Sequence, residues 1–454
     1  MGMEKRATVI GLGKSGAAAA KLLQREGWAV TISDRNTHDR LLPLKANLES
    51  NGITVSLGDT FLPTSDLDLV VASPGVPWDL SALVIAREMG IETIGEMELA
   101  WRYLSHVPWV GITGTNGKTT TTELVAAIFR AAGLNAPACG NIGYAACQVA
   151  LDPTPDWVIA ELSSYQLEAS IGPKPQVGIW TTFTPDHLSR HKTIENYYNI
   201  KASLMDRSEV MVMNGDDPTL RAKVDPLRPN THWTSVEGPT AIAPIQPQTY
   251  IEGGWIIHQG ETVIPAKTLK MVGHHNQQNL LMAVAAARLA GIANEPIRTA
   301  IETFPGVLHR LEYVLTWQGI DYINDSKATN YDAAEVGLRS VDAPTVLIAG
   351  GAAKDGEDAA WIAQIKEKAA GVLLIGAAAP QFAERLKAAG YDQYEIAETM
   401  ENAVRRSQEI APSLGAKVVL LSPACASFDQ YLNFEVRGDD FRSLCKQYLG
   451  RPVS

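Results

Sequence analysis

The sequence predicts an α/β protein of three domains, and three observations predict it. A short apolar strand followed by a glycine-rich turn and a helix occurs twice, over residues 7–26 and 107–132. A third series of apolar strands with helical stretches between them begins near Phe304-Pro305-Gly306. The chain has 454 residues, too many for one ordinary core. These breaks divide it into residues 1–96, 97–304 and 305–454. The first and last domains read as Rossmann-like units. The middle one reads as a P-loop ATPase-type α/β domain with a small β excursion.

Composition excludes several classes. Apolar residues make up 46% and charged residues 20%, with a net charge of −11 and no basic block. Nucleic acid is therefore not expected as a partner. Any polyanionic ligand must be held by backbone dipoles, lysine and metal. The cysteines Cys139, Cys147, Cys425 and Cys445 show neither C-x-x-C pairing nor zinc spacing, so reduced thiols in a cytoplasmic protein are expected. No apolar run has membrane-spanning length, and the opening Met-Gly-Met-Glu-Lys-Arg leads straight into a strand. Neither membrane insertion nor a signal peptide is expected.

In the first domain, strand 7–10 runs into Gly11-Leu12-Gly13-Lys14-Ser15-Gly16, a full G-x-G-x-x-G, and a helix over 17–26. A second strand, 29–33, ends at Asp34. This pattern specifies a diphosphate at a helix N-terminus. A nicotinamide dinucleotide and a UDP-linked ligand satisfy it equally. A further strand, 67–72, ends in Ser73-Pro74-Gly75-Val76-Pro77, a rigid loop at the edge where open α/β sheets bind ligands. A plain turn fits that loop as well.

The middle domain opens on Gly111-Ile112-Thr113-Gly114-Thr115-Asn116-Gly117-Lys118-Thr119-Thr120 between strand and helix. Such a turn aims backbone N–H groups and the helix's positive end at phosphate. Lys118 adds a charge, and Thr119 a hydroxyl for Mg²⁺. Ile112 stands where the strict spelling has glycine, so this is a variant P-loop. Next come the Gly140-Asn141-Ile142-Gly143 turn and strand 157–160, which delivers Glu161 as a Mg²⁺-type carboxylate. Strand 177–183 delivers Thr184-Pro185-Asp186-His187. Histidine is an unusual Mg²⁺ ligand, and His187 reads equally as a loop hydrogen-bonder. Lys201 falls on the apolar stripe of Ile194, Tyr197, Tyr198, Leu204 and Met205. There it snorkels, finds a partner, or reacts with CO₂ as a carbamate able to bind metal. Residues 235–270 read as an irregular β excursion, followed by Asn276 ahead of an Ala/Leu helix.

The last domain restarts the strand–helix alternation. His309-Arg310 precedes strand 322–324 and Asp325-Ser326-Lys327-Ala328-Thr329-Asn330. Strands 345–349, 372–376 and 418–421 follow, the last leading into Ser422-Pro423-Ala424-Cys425-Ala426-Ser427. These strand-end loops are ligand candidates, with a structural role as the alternative.

Together these pieces resemble one family, the ATP-dependent muramyl (Mur) ligases, themselves similar to folylpolyglutamate synthetases. The resemblance covers essentially the whole chain. Gly114-Thr115-Asn116-Gly117-Lys118-Thr119 has the family's P-loop spelling, and Glu161, His187, Lys201, Asn276 and His309-Arg310 match its other landmarks in order. The segments 11–16, 325–330 and 422–427 narrow the likeness to members that add D-glutamate. One departure is Ala352-Ala353, where the family pattern has an acid before Lys354; its role would pass to Asp355. Another is Arg35-Asn36, which leaves uracil contacts open.

The resemblance implies that ATP phosphorylates the carboxylate of UDP-N-acetylmuramoyl-L-alanine. The amine of D-glutamate then displaces phosphate. It implies two Mg²⁺ ions, one on Thr119 and Glu161, the other on His187 and carbamylated Lys201. Nucleotide contacts would come from Gly114, Thr115, Asn116, Gly117, Lys118, Thr119, Thr120, Asn276, Arg310 and Asp325. Gly13, Lys14, Ser15, Gly16, Asp34, Ser73 and Asn141 would hold the UDP-sugar. Thr329, Lys354, Ser427 and Phe434 would hold glutamate. Lys118, His187, Lys201 and Lys327 would serve catalysis. A cytoplasmic monomer that closes on its substrates is expected.

Overall fold

The computed structural model describes residues 5–450, apart from 272, 354 and 355 and the side chain at 40. Lys354 and Asp355 thus lie outside the described residues.

Three sheets carry the fold. The first comprises β1 (Arg6–Ile10), β2 (Ala29–Asp34), β3 (Thr54–Leu57), β4 (Leu69–Ala72) and β5 (Glu92–Gly95). All are parallel, in the order β3-β2-β1-β4-β5. Ala7, Val9, Val30, Ile32 and Val55 share a buried cluster with the helix Lys14–Arg25. On the opposite face Thr8, Thr31 and Thr54 stand side by side. The connection from β3 to β4 carries no helix, so polar residues suit that face. Strands β3 and β5 are additions to the sequence reading.

The second sheet comprises β6 (Trp109–Thr113), β7 (Ala138–Gly140), β8 (Val158–Glu161), β9 (Val177–Trp180), β10 (Val210–Asn214) and β11 (Thr231–Ser235). The ribbon β12 (Thr249–Glu252), β13 (Trp255–His258) and β14 (Glu261–Pro265) extends it. The order is β14-β13-β12-β11-β10-β9-β6-β8-β7. The β excursion is therefore a three-stranded continuation, antiparallel from β12 onward. Strand β6 sits between β8 and β9, and its residues Trp109, Val110 and Ile112 are fully buried, as parallel central strands require.

The third sheet comprises β15 (Glu312–Trp317), β16 (Ile320–Asn324), β17 (Thr345–Gly350), β18 (Ala369–Ile375), β19 (Tyr394–Glu398) and β20 (Val418–Leu421). Its order is β15-β16-β20-β17-β18-β19, with β15 antiparallel to β16. The edge strands β15 and β19 were not in the sequence reading.

Two compact units result. One holds the chain through Leu269 together with Gln277–Phe304, and so contains the first two sheets. The other holds Lys270–Asn276 and the chain from Pro305. Within the first unit, the Gly95 N–H donates to the Ala169 carbonyl at 2.8 Å. A Cβ on Gly95 would stand 2.9 Å from that of Ala169, so this junction needs glycine. Among the described residues no helix is long and apolar enough to cross a membrane.

Candidate active site

The loops after β8, β6 and β9 share one sheet edge because those strands are neighbours. The P-loop between β6 and the helix Lys118–Ala131 uses two glycines at positive φ, Gly114 (148°) and Gly117 (83°). A Cβ on Gly114 would stand 1.9 Å from Thr181 Oγ1, and one on Gly117 would stand 2.5 Å from Asn279 Oδ1. Both positions demand glycine on conformation and on space. Lys118 Nζ folds back to donate to the Gly114 and Thr115 carbonyls at 2.9 and 2.8 Å. The Asn116 N–H donates to Thr182 Oγ1 at 2.9 Å. Thr120 is fully buried, so its side chain belongs to the core and only its backbone can serve a phosphate.

Thr119 and Glu161 meet as the strand ends predict. Thr119 Oγ1 donates to Glu161 Oε2 at 2.8 Å, and Asn141 Nδ2 donates to Oε1 at 2.7 Å. Asn141 thus also orients the carboxylate, beyond the UDP contact expected of it. Among the described residues no cluster of three His, Cys, Asp or Glu forms a closed metal site. A hydroxyl and one buried carboxylate fit Mg²⁺, which binds few protein ligands and completes its shell with water and substrate phosphate.

Lys201 does not snorkel. It is 1% exposed, and its Nζ donates to Gly114 O at 2.7 Å and to Thr113 Oγ1 at 3.3 Å. Nζ also stands 4.9 Å from the Tyr197 ring centre. Burial first, and Lys118 next, hold its pKa well below the ordinary lysine value. The neutral amine so favoured is the form able to add CO₂. His187 occupies a left-handed conformation (φ 55°). Its Nδ1 lies 3.1 Å from the Tyr165 hydroxyl and its Nε2 3.4 Å from Asp186 Oδ2. The His187 and Lys201 side chains flank the same Tyr197 ring.

A cavity of about 680 Å³ opens over the first glycine-rich turn. Gly13, Lys14, Ser15, Asp34, Ser73 and Asn141 line it, joined by Arg35, His38, Phe61 and Gln166. Of the residues expected at the UDP-sugar, Gly16 alone is off this wall, while Asp34 and Ser73 line it and also brace the turn. Gly16 lies off the cavity wall, where a Cβ would fall 1.9 Å from Gly11 O, so it lets the helix approach the strand. Asp34 accepts from the Leu12 N–H at 2.7 Å and from Asn36 N and Nδ2 at 2.8 Å, which braces the turn. The Ser73 hydroxyl donates to Gly11 O at 2.9 Å.

In the second unit, β16, β20 and β17 are adjacent, so loops 325–330, 422–427 and 350–353 gather at one edge. Asp325 is buried; it accepts from Ser422 Oγ at 2.9 Å and from the Leu311 N–H at 3.3 Å. Burial raises its pKa to about 7, against the pull of Arg310. Lys327 Nζ lies 5.5 Å from the Phe434 ring, and Ser326 Oγ donates to Phe434 O at 2.8 Å. Ser427 is buried and Thr329 half-buried. Asn276 is fully buried in the first turn of the helix His274–Leu289.

Sequence reasoning missed Arg437. Its buried guanidinium ties two of these loops together: Nε to Ser326 Oγ (3.0 Å), Nη2 to Ser326 O (2.8 Å), and Nη1 to Cys425 O (3.1 Å) and Ala426 O (3.2 Å). It lies in Phe434-Glu435-Val436-Arg437-Gly438, where no local motif marks the arginine as buried. The mid-helix Gly438 was the available signal, since a Cβ there would fall 2.2 Å from His309 Nδ1.

Known proteins similar to this chain agree with one another. A UDP-N-acetylmuramate–alanine ligase from Thermotoga maritima has the same fold, with a TM-score of 0.61 at 18% identity, over 98% of this chain and 99% of that one. A UDP-N-acetylmuramoylalanine–D-glutamate ligase of Trichormus variabilis is 61% identical over 453 residues, 98% of this chain and 99% of its own. The protein of that name from Microcystis aeruginosa is 62% identical over 446 residues, covering 97% and 99%. The Mur ligase middle domain matches residues 112–287, and the MurD-like N-terminal domain of Mur ligases matches residues 5–95. The chain belongs to the Mur ligase family.

Proposed function

We propose that this protein is an ATP-dependent ligase that joins D-glutamate to UDP-N-acetylmuramoyl-L-alanine in peptidoglycan synthesis. Identity of about 60% over nearly the full length of ligases with that name carries the reading. The substrate carboxylate takes the γ-phosphoryl group of ATP, releasing ADP. The D-glutamate amine then attacks the acyl carbon, phosphate departs with the acyl C–O electron pair, and the amine proton passes to solvent.

Two anions must meet for the first step. Lys118 and the P-loop N–H groups hold the phosphates in place, and catalysis is mostly positioning and charge stabilisation. Thr119 and Glu161 would hold one Mg²⁺, and His187 with a carbamate on Lys201 a second. These ions, when bound, supply positive charge between phosphate and carboxylate. Gly13, Lys14 and Ser15 suit the diphosphate of the acceptor, because they open the helix Lys14–Arg25 beside the cavity. Lys327, Thr329, Ser427 and Phe434, with Lys354, are the groups assigned to glutamate. Nucleotide substrates and four buried free thiols support a cytoplasmic protein, taken as a monomer.

ADP release measured across a panel of UDP-muramyl acceptors and amino acids tests this. Release that needs both UDP-N-acetylmuramoyl-L-alanine and D-glutamate is expected; release independent of the amino acid would overturn it.

A further inference from the structure

The chemistry above leaves one buried group beside Lys201 without a role. His191 is 1% exposed and ends the short helix Leu188–His191. Its ring stacks on Tyr197 (5.5 Å, 25°) and leans on Tyr165 (5.4 Å, 35°). Nε2 meets Ser164 Oγ at 2.9 Å, three residues beyond Glu161. Nδ1 is buried with no hydrogen-bond partner. An unmet buried polar atom costs about 1–3 kcal/mol, a cost phenylalanine would avoid in the same space. The compensating gain lies at Nε2, which ties the loop after β8 to the loop after β9.

Tyr197 passes that constraint on. Its hydroxyl is 3.2 Å from Thr115 Oγ1, which also reaches the Thr184 carbonyl at 3.0 Å. Its ring lies beneath Lys201 and beside His187. One aromatic ring therefore touches the P-loop, the buried lysine and the histidine loop together. A tyrosine on a helix can still tilt about two side-chain bonds, and the stacked imidazole removes that freedom.

We propose that His191 is a positioning residue: tethered by Ser164, it fixes the Tyr197 ring and through it the P-loop Thr115 and the seat of Lys201. The proposal rests on the ligase reading for its kinetic readout, while ATP affinity tests it independently.

The test uses the full-length protein with His191→Asn, Ser164→Ala, Tyr197→Phe, His191→Phe and the double variant His191→Asn/Tyr197→Phe. The readouts are the ATP dissociation constant, kcat for ADP release and the melting midpoint. His191→Asn and Ser164→Ala should each lower kcat about tenfold or more and weaken ATP several-fold, with melting near that of the wild type. His191→Phe, which restores the stacked ring, should recover part of the loss. Tyr197→Phe keeps the ring but cuts its bond to Thr115, so in that background His191→Asn should add less than about twofold to the loss of ATP affinity, while its effect on kcat through Lys201 persists. A folded His191→Asn protein within about twofold of wild type in both kcat and ATP affinity overturns the proposal, as does full additivity with Tyr197→Phe in ATP affinity. Should His191→Asn fail to fold, Ser164→Ala decides by the same criteria. A wild type that binds ATP but makes no ADP with both substrates sinks the ligase reading alone, and ATP affinity still decides the role of His191.

Discussion

Lys118 and Lys201 donate to the same acceptor, the carbonyl oxygen of Gly114, at 2.9 and 2.7 Å. Two ammonium groups at one carbonyl would repel, and Lys118 is the main cause, after burial, of the depressed pKa of Lys201. An anionic group on Lys201 would turn that repulsion into attraction. Lys201→Ala should therefore lower kcat by about 10²–10³, the usual effect of losing one oriented charge. Added formate or acetate should restore part of the rate by standing in for the carbamate. Absence of any restoration over a range of short carboxylates would show that Lys201 acts as a plain amine.

The Thr119–Glu161–Asn141 cluster makes a separate prediction. Glu161→Gln keeps the shape but removes the charge that suits a divalent cation. The Mg²⁺ concentration for half-maximal rate should rise about tenfold or more, with little change in melting temperature. An unchanged Mg²⁺ dependence would remove Glu161 from the metal site.

Arg437 links stability to the loops after β16 and β20. Arg437→Met would leave the Ser326, Cys425 and Ala426 carbonyls short of donors. The loss should be about 2–4 kcal/mol of unfolding free energy, read from urea denaturation. A loss under about 1 kcal/mol would show that water or a rearranged loop replaces the guanidinium.

Acid sensitivity follows from two stacked histidines in the β ribbon. His232 Nε2 and His258 Nδ1 both meet Thr249 Oγ1, at 2.8 and 2.9 Å. Burial, with His258 next, pushes His232 down to about 3; burial, with Arg288 next, pushes His258 down to about 4. Both are neutral in the fold. Below the ordinary histidine value of 6.5 the unfolded chain binds protons that the folded chain refuses. Stability should fall as pH drops from there toward 4, by up to about 1.4 kcal/mol per pH unit for each histidine. His191 and His275, both near 4, add to the slope, so the informative comparison is wild type against His232→Asn/His258→Asn. Equal slopes for the two proteins between pH 7 and 4 would refute the assignment.

The parts of the site legible in the sequence were local. The 114–119 turn and Glu161 at a strand end follow from spacing alone, because strand, glycine turn and helix are contiguous. The missed parts were long-range or half-exposed. Thr181 and Thr182 wall the P-loop from about 65 positions away in the chain, as the Asn116 N–H to Thr182 Oγ1 bond illustrates. His191 and Tyr197 gain meaning only once β9 lies beside β6. Strands β3, β15 and β19 are edge strands whose exposed positions, such as Thr54, Tyr313 and Glu395, dilute the apolar pattern.

The placement of β6 between two later strands has a consequence for biosynthesis. A ribosome-bound fragment ending just after the helix Lys118–Ala131 contains the whole phosphate-binding motif, yet lacks Glu161, Thr181 and Thr182. Nascent chains should capture nucleotide only once translation has passed residue 187 and β9 has zipped onto β6. ATP would then reward the completed pocket and never the emerging motif.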